Sequence, residues 1–318
     1  MTKNEQSRAQ RGRRNTLKTL AVGAGALAAP GLMLKTAHAQ SRAIKIGFVS
    51  PQTGPIAAFG EADKFVIDGV KAALAKGITV AGKQFPVEII AKDSQSNPNR
   101  AAEGTNQLIN NDKCDIILGS STSDTVNPVA STCELAGVPC VTSDNPWQAY
   151  FFGRKGDPKK GFEWTYHFFW GFDTIAQVFM NMWGSLPTNK TVGLLFSNDP
   201  DGIAANEGLP KDYQAKGFKV VNQGLYTGNT NDFSAQIAAF KKENVEIVMG
   251  VFVPPAFAQF WTQCGQQGFH PKIATPAKAL LFPSAVESLG ARGAGMTTEV
   301  WWSPLHPFKS GLTGQSSQ

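Results

Sequence analysis

Residues 44–74 read IKIGFVSPQTGPIAAFGEADKFVIDGVKAAL, and a change of period inside this stretch decides the fold. The opening run 44–50 is short, apolar and β-rich and closes on Pro51, as a strand does. After a loop turned by Gly54 and Pro55, residues Ala62, Phe65, Val66, Gly69, Val70 and Ala73 recur at spacings of three, four and seven. That spacing predicts a helix that buries this face until Gly77 stops it. Repeated alternation of such strands and helices marks a parallel sheet covered by helices on both faces.

The alternation continues outward. Strands are predicted in PVEIIAKD from Pro86, CDIILGS from Cys114 and VPCVTS from Val138. The second helix opens on Asn97 and Pro98, an N-cap and first-turn pair, and buries Ala101, Thr105, Leu108 and Ile109. Four strands and three helices make one lobe. In GFEWTYHFFWGFD, residues 161–173, every even position from Phe162 to Phe172 is aromatic. This predicts one face of a period-2 strand crossing between lobes, with most rings in the core and Trp170 toward a solute. Strands TVGLLFS from Thr191, FKVVN from Phe218, VEIVMGVFV from Val245 and PKIAT from Pro271 then alternate with helices near 173–185, 202–216, 232–243 and 256–266. The predicted fold class is α/β: two Rossmann-like lobes, parallel sheets with helices on both faces, joined by extended crossover segments around a ligand cleft. Lobe 1 is expected over 40–165, lobe 2 over 166–298, and a truncated return to lobe 1 over 299–318.

The chain has 318 residues, 42% apolar, enough for two domains of roughly 100–200 residues. Its formal charge of +6 comes from the first 39 residues, which hold seven of the 30 Lys and Arg but one of the 24 Asp and Glu. The remainder carries 23 of each sign, so it has no electrostatic footprint for nucleic acid. Residues 1–39 run from a basic stretch with Arg13 and Arg14, through an Ala/Gly/Leu-rich segment, to Ala37-His38-Ala39. This is the order of an export signal, resembling the twin-arginine type, with a Sec signal as the other reading. Cleavage after Ala39 and a periplasmic location are expected. Gln40 in place of Cys argues against a lipid anchor, and no later run approaches the roughly 18 apolar residues of a spanning helix. Cys133 and Cys140, at a predicted helix end and the next strand start, either pair or remain buried thiols.

In open α/β sheets, ligands sit beyond the carboxyl ends of the strands. The loops at these ends, together with VEIIAKDSQSNPNRAAEGTNQLI, CDIILGSSTSDTVNPVASTCELAGVPCVT and TNDFSAQIAAFKKENVEIVMG, resemble the leucine/isoleucine/valine-binding family of periplasmic solute-binding proteins. Together with residues 44–74 these stretches span nearly the whole mature chain. The resemblance implies two lobes that close on one small solute and dock on the permease of an ABC importer.

Several residues are candidates for the solute site. Thr122, Ser123 and Asp124 sit just before a predicted helix, whose unpaired N–H groups and positive dipole end favour an anion such as a carboxylate; the other reading is that Ser123 or Asp124 is only its N-cap. The resemblance puts Ser123 at a ligand-carboxylate contact and Phe59 at an aromatic that covers the ligand. Asp144, Asn145 and Trp147 replace the small and hydroxyl residues of a branched-chain amino-acid binder, implying a different ligand shape. Asp201 and Phe252 align with or beside ligand contacts of the second lobe. The family's carboxylate for an α-ammonium falls at Ala277, which disfavours a plain amino acid unless Asp144 or Asp201 substitutes. Lys278 beside it either favours an anion or is a solvated surface lysine. Phe59, Trp147 and Trp170 are expected to sandwich the apolar body.

No nucleophile elbow, His-Glu-x-x-His or phosphate loop is present, and the three mature histidines are scattered, so an enzyme is not expected. No cofactor or metal is expected. The expected function is an extracytoplasmic receptor of an ABC uptake system for a small carboxylate-bearing solute, aromatic ones included. The alternatives are an amino-acid or amide binder and a sensory protein that presents its ligand to a membrane receptor. The expected partners are the solute and permease subunits of the inner membrane, without nucleic acid, and the protein is expected to be monomeric.

Overall fold

Parallel strands cannot be joined by a tight turn, so each β-to-β connection needs a crossover, usually a helix. The computed structural model, which describes residues 42–300, 303–311 and 314–317, follows this rule through two sheets. The expected export signal, residues 1–39, lies outside the described residues. The first sheet contains β1 (Ile44–Ser50), β4 (Val87–Asp93), β5 (Ile116–Ser120), β6 (Cys140–Ser143) and β7 (Thr165–His167), paired in the order β4-β1-β5-β6-β7 and parallel throughout. Its helices are α1 (Asp63–Ala73), α2 (Pro98–Asn110), α3 (Ser123–Ala136) and the short α4 (Trp147–Phe151). The hairpin of β2 (Ile78–Val80) and β3 (Lys83–Phe85) turns on Ala81 and Gly82, both at positive φ. Strands of three residues are too short for a period to show, and the sequence reading missed them.

The second sheet has the order β11-β10-β8-β9, from β8 (Thr191–Ser197), β9 (Lys219–Tyr226), β10 (Ile247–Val251) and β11 (Ile273–Ala277). It is flanked by α5 (Phe172–Trp183), α6 (Pro200–Ala215), α7 (Ser234–Lys242) and α8 (Pro254–Gln266), and followed by α9 (Pro283–Leu289). Every residue of β8, β10 and β11 is buried, which explains their continuous apolar runs. Val192, Leu194 and Phe196 of β8 join a core with α5 and α6, whereas Leu195 joins the opposite core with Phe233, Phe240 and Phe260. The alternation of a strand thus feeds two cores. The first lobe packs Leu108, Ile117, Val129, Cys133 and Cys140 together. The N-cap of α2 is Asn97, whose side chain accepts from the Asn99 and Arg100 N–H groups.

Three expectations differ from the fold. The apolar face of α1 is open: Phe65 is 83% exposed, and Val66 and Val70 are exposed too. Helical period shows which face can be buried, but no element of the described residues covers it. The aromatic stretch forms only the three-residue edge strand β7, and its rings do not share a core. Phe162, Trp170 and Phe172 pack inward, whereas Trp164, Tyr166 and Phe168 are exposed. β7 pairs with β6 alone, so one of its faces has little to pack against. It also straddles the expected boundary at 165/166. All four cysteines are buried free thiols, and Cys133 is raised by its hydrogen-bond partner Cys140 and by burial. No helix of the described residues is long and apolar enough to cross a membrane.

Candidate functional site

The carboxyl ends of β5, β6, β8, β10 and β11 converge on a cavity of about 30 Å³ between the lobes. Phe59, Thr122 and Asp144 line it from the first lobe, and Trp170, Phe172, Asp201, Ala277, Lys278 and Glu299 complete the wall. This volume holds about two waters, whereas sites for drug-sized ligands enclose roughly 300–1,000 Å³.

A network of buried polar groups crosses from lobe to lobe. The Ser123 hydroxyl donates to Asp201 Oδ1 at 2.5 Å, and the Ser123 N–H donates to Asp201 Oδ2 at 3.3 Å. Asn145 Nδ2 donates to Ser123 Oγ at 2.7 Å and orients it. From the second lobe, Lys278 Nζ lies 2.9 Å from Asp201 and 2.8 Å from Asp199. Asp199 is the N-cap of α6 and accepts from the Gly202 N–H at 2.9 Å. Gly202 is required there, since a Cβ would lie 1.9 Å from the Ser197 carbonyl oxygen.

The charges follow from this packing. Burial alone would lower Lys278, but Asp199 and Asp201 outweigh it and raise it, so the ammonium is retained. Burial pushes Asp199 upward, yet Lys278 and the Gly202 N–H hold it below the usual carboxylate range. Lys278 and Asp144 both sit at φ 73, the left-handed region that costs a non-glycine residue about 1–2 kcal/mol. Each follows the last residue of a strand, where the backbone turns sharply into the cleft loop. Thr122, the N-cap of α3, is 2% exposed, makes no capping bond, and its hydroxyl has no protein partner.

The structure brings together Phe59, Thr122, Asp144, Trp170, Asp201 and Lys278 around the cavity, with Ser123 and Asn145 directly behind. It separates two others. Phe252 is fully buried in the second-lobe core, where it stacks on Tyr226 and Phe260, because Gly250 leaves room for the ring. Trp147 lies against Gly171 in a separate depression with Tyr150 and His167, so the expected three-ring sandwich is not formed. Phe169, stacked aslant on Trp170 at 4.7 Å, occupies the wall instead. Lys278 is buried and doubly paired, which corrects the surface reading. Sequence reasoning missed Asp199 and Glu299. Asp199 follows the end of β8, in a loop that position alone marks, but its pairing with Lys278 depends on β11 lying across the sheet.

His167 supports this network. Its Nε2 lies 2.8 Å from the Asn145 carbonyl oxygen, which can only accept, so the ring carries its proton there. Burial lowers the pKa of His167. The unfolded chain therefore binds the extra proton first, and the contribution of the neutral ring is full above pH about 6.5 and falls as pH drops through the folded value. Stability measured by urea unfolding should decline from pH 7 to 5, with a shallower slope in His167→Gln. Equal slopes would remove His167 as a source of the acid sensitivity.

Two parallel α/β lobes with a cavity between their strand ends give the architecture of a two-lobed binding protein. The chain belongs to the periplasmic binding protein family, whose sequence profile it matches over residues 43–307. It is similar in structure to a type 1 periplasmic binding protein from Bordetella pertussis Tohama I, with a TM-score of 0.70 and 20% identity, covering 84% of this chain and 71% of that one. It is also similar to the branched-chain amino acid transporter substrate binding protein LivJ from Streptococcus pneumoniae in complex with isoleucine (TM-score 0.68, 20% identity, 85% and 74% coverage). A third similar structure is the solute binding protein of an ABC transporter from Rhodopseudomonas palustris BisB5 in complex with 3,4-dihydroxybenzoic acid (0.64, 21%, 84% and 70%). The family and these neighbours are solute-binding proteins, not enzymes.

Proposed function

We propose that the protein is the extracytoplasmic receptor of an ABC uptake system and closes two lobes over a small carboxylate-bearing solute. The observation that carries this reading is a carboxylate seated between the lobes on the N–H and hydroxyl of Ser123, at the start of the 14-residue helix α3. The helix end, the hydroxyl and the supporting Asn145 form an anion subsite, while Phe59 and Trp170 offer apolar walls for the body of the solute. The 30 Å³ cavity admits such a solute only after the lobes part. Export by residues 1–39, cleavage after Ala39, lobe boundaries near 165 and 298, a monomeric state and docking on inner-membrane permease subunits complete the proposal. Both isoleucine and 3,4-dihydroxybenzoic acid, found in the neighbours, carry a carboxylate.

An amino acid is the second reading. Among the described residues, Asp144 and Glu299 line the cavity without an ion-pair partner, and burial raises Glu299, so a solute ammonium would find a carboxylate there. Calorimetric titration of the mature chain with 3,4-dihydroxybenzoate, isoleucine and the corresponding amides separates these readings. Each acid should bind about tenfold tighter than its amide, the worth of one hydrogen bond to a charged group. An amide that binds as well as its acid would overturn the carboxylate subsite.

A further inference from the structure

We infer that Asp201 is the specificity-determining residue of the cleft, a built-in competitor that occupies the carboxylate subsite on Ser123 until a solute carboxylate turns it away. This rests on the carboxylate reading above. Asp201 lies in the first turn of α6, in the second lobe, 78 residues beyond the Ser123 that it binds. One of its oxygens takes the Ser123 hydroxyl, while the other takes the Ser123 N–H and the Lys278 ammonium. It therefore makes, from within the protein, the contacts that a solute carboxylate would make. Two ionised carboxylates cannot share one serine, because like charges at that separation repel strongly.

Displacement is feasible because the cluster is wired in parallel. Lys278 keeps Asp199 at 2.8 Å, and Asp199 is anchored independently by the Gly202 N–H, so Asp201 can leave Ser123 without stranding a buried ammonium. A second observation points to an incoming group: the buried Thr122 hydroxyl lines the cavity beside Ser123 and has no protein partner. Asp201 does not use it, whereas a solute carboxylate on Ser123 lies within its reach. A solute must then outbid an internal carboxylate, so a bare small anion fails and one with a body for Phe59 and Trp170 succeeds. The Ser123–Asp201 bonds also tie the lobes together, so the same exchange couples binding to opening.

The test uses the mature full-length chain as wild type, Asp201→Ala, and Asp201→Ala with Ser123→Ala, titrated calorimetrically with 3,4-dihydroxybenzoate, isoleucine and acetate. Asp201→Ala should bind the first or second probe about tenfold tighter than wild type and gain measurable acetate binding, and the added Ser123→Ala should abolish the gain. Equal or weaker binding by Asp201→Ala overturns the inference, since Asp201 would then be a bystander or a solute contact. If Ser123→Ala lowers affinity in that background although Asp201→Ala gained none, the inference fails alone. If Ser123→Ala changes nothing there, the carboxylate reading fails with it. Should no probe bind either protein, small-angle scattering without added solute decides: a larger radius of gyration in Asp201→Ala supports the inter-lobe tie, and an unchanged radius overturns the inference.

Discussion

Replacing Lys278 by methionine should destabilise the protein by about 3–5 kcal/mol, the penalty for removing one partner of a buried ion pair. Lys278 is 6% exposed and faces Asp199 at 2.8 Å and Asp201 at 2.9 Å, so its loss leaves two carboxylates without a cation in a space with little water. Methionine matches the length of the stem, which isolates the charge from the packing. The deficit should depend on pH with a definite sign. In the wild type, Asp199 is held low, so its contribution is present above the unfolded carboxylate value of about 3.9 and is lost as pH falls through the folded one. In the variant, burial acts on Asp199 against only the Gly202 N–H and the Ser197 hydroxyl. Acidification then relieves an unfavourable charge, and the gap between the two proteins narrows from pH 7 toward 4. Asp199→Asn in the Lys278→Met background should recover part of the stability at pH 7. Urea unfolding across this range measures all three effects, and a Lys278→Met variant within about 0.5 kcal/mol of wild type would mean that water reaches the cluster.

Trp183→Ala is expected to lose a comparable 3–5 kcal/mol, for a different reason. Trp183 is 1% exposed and sits among Phe179, Tyr213 and Phe218, with ring centroids at 6.2, 5.1 and 5.6 Å. Its indole N–H donates to Thr275 Oγ1 at 2.9 Å, linking α5 to β11 two residues before Ala277 and the cleft. Truncation removes the largest side chain of this core and one hydrogen bond of the buried Thr275 hydroxyl, which keeps the Thr297 hydroxyl at 2.9 Å. Trp183→Phe retains most of the volume and should lose markedly less. Guanidinium unfolding distinguishes them: equal losses in both variants would assign the effect to the hydrogen bond, and a loss below about 1 kcal/mol in Trp183→Ala would mean that the core collapses around the gap.

These two residues differ in how visible they are beforehand. Trp183 belongs to an amphipathic segment whose predicted span, 173–185, lies within two residues of the observed helix. Local period carries that information, because the 3.6-residue turn decides which side chains share a face. Lys278 gave no such signal. A lysine after a strand is usually solvated, and only the position of Asp199 and Asp201 beyond the end of β8, two strands away, makes it a buried cation. Asp201 shows the same limit more sharply. The helix start at Ser123 was legible, but the carboxylate found on it comes from 78 residues away.

The sequence by itself determined the α/β alternation, the two parallel sheets, the strand ends at which a cleft forms and the start of α3. Each follows from local period, capping chemistry or connection rules. Tertiary structure alone decided that the face of α1 stays open, that the aromatic run divides between core and surface, that Trp147 and Phe252 stand away from the cavity, and that Asp201 meets Ser123. Those outcomes depend on which distant surfaces come into contact, and burial and pairing are properties of such contacts, which no stretch of chain specifies alone.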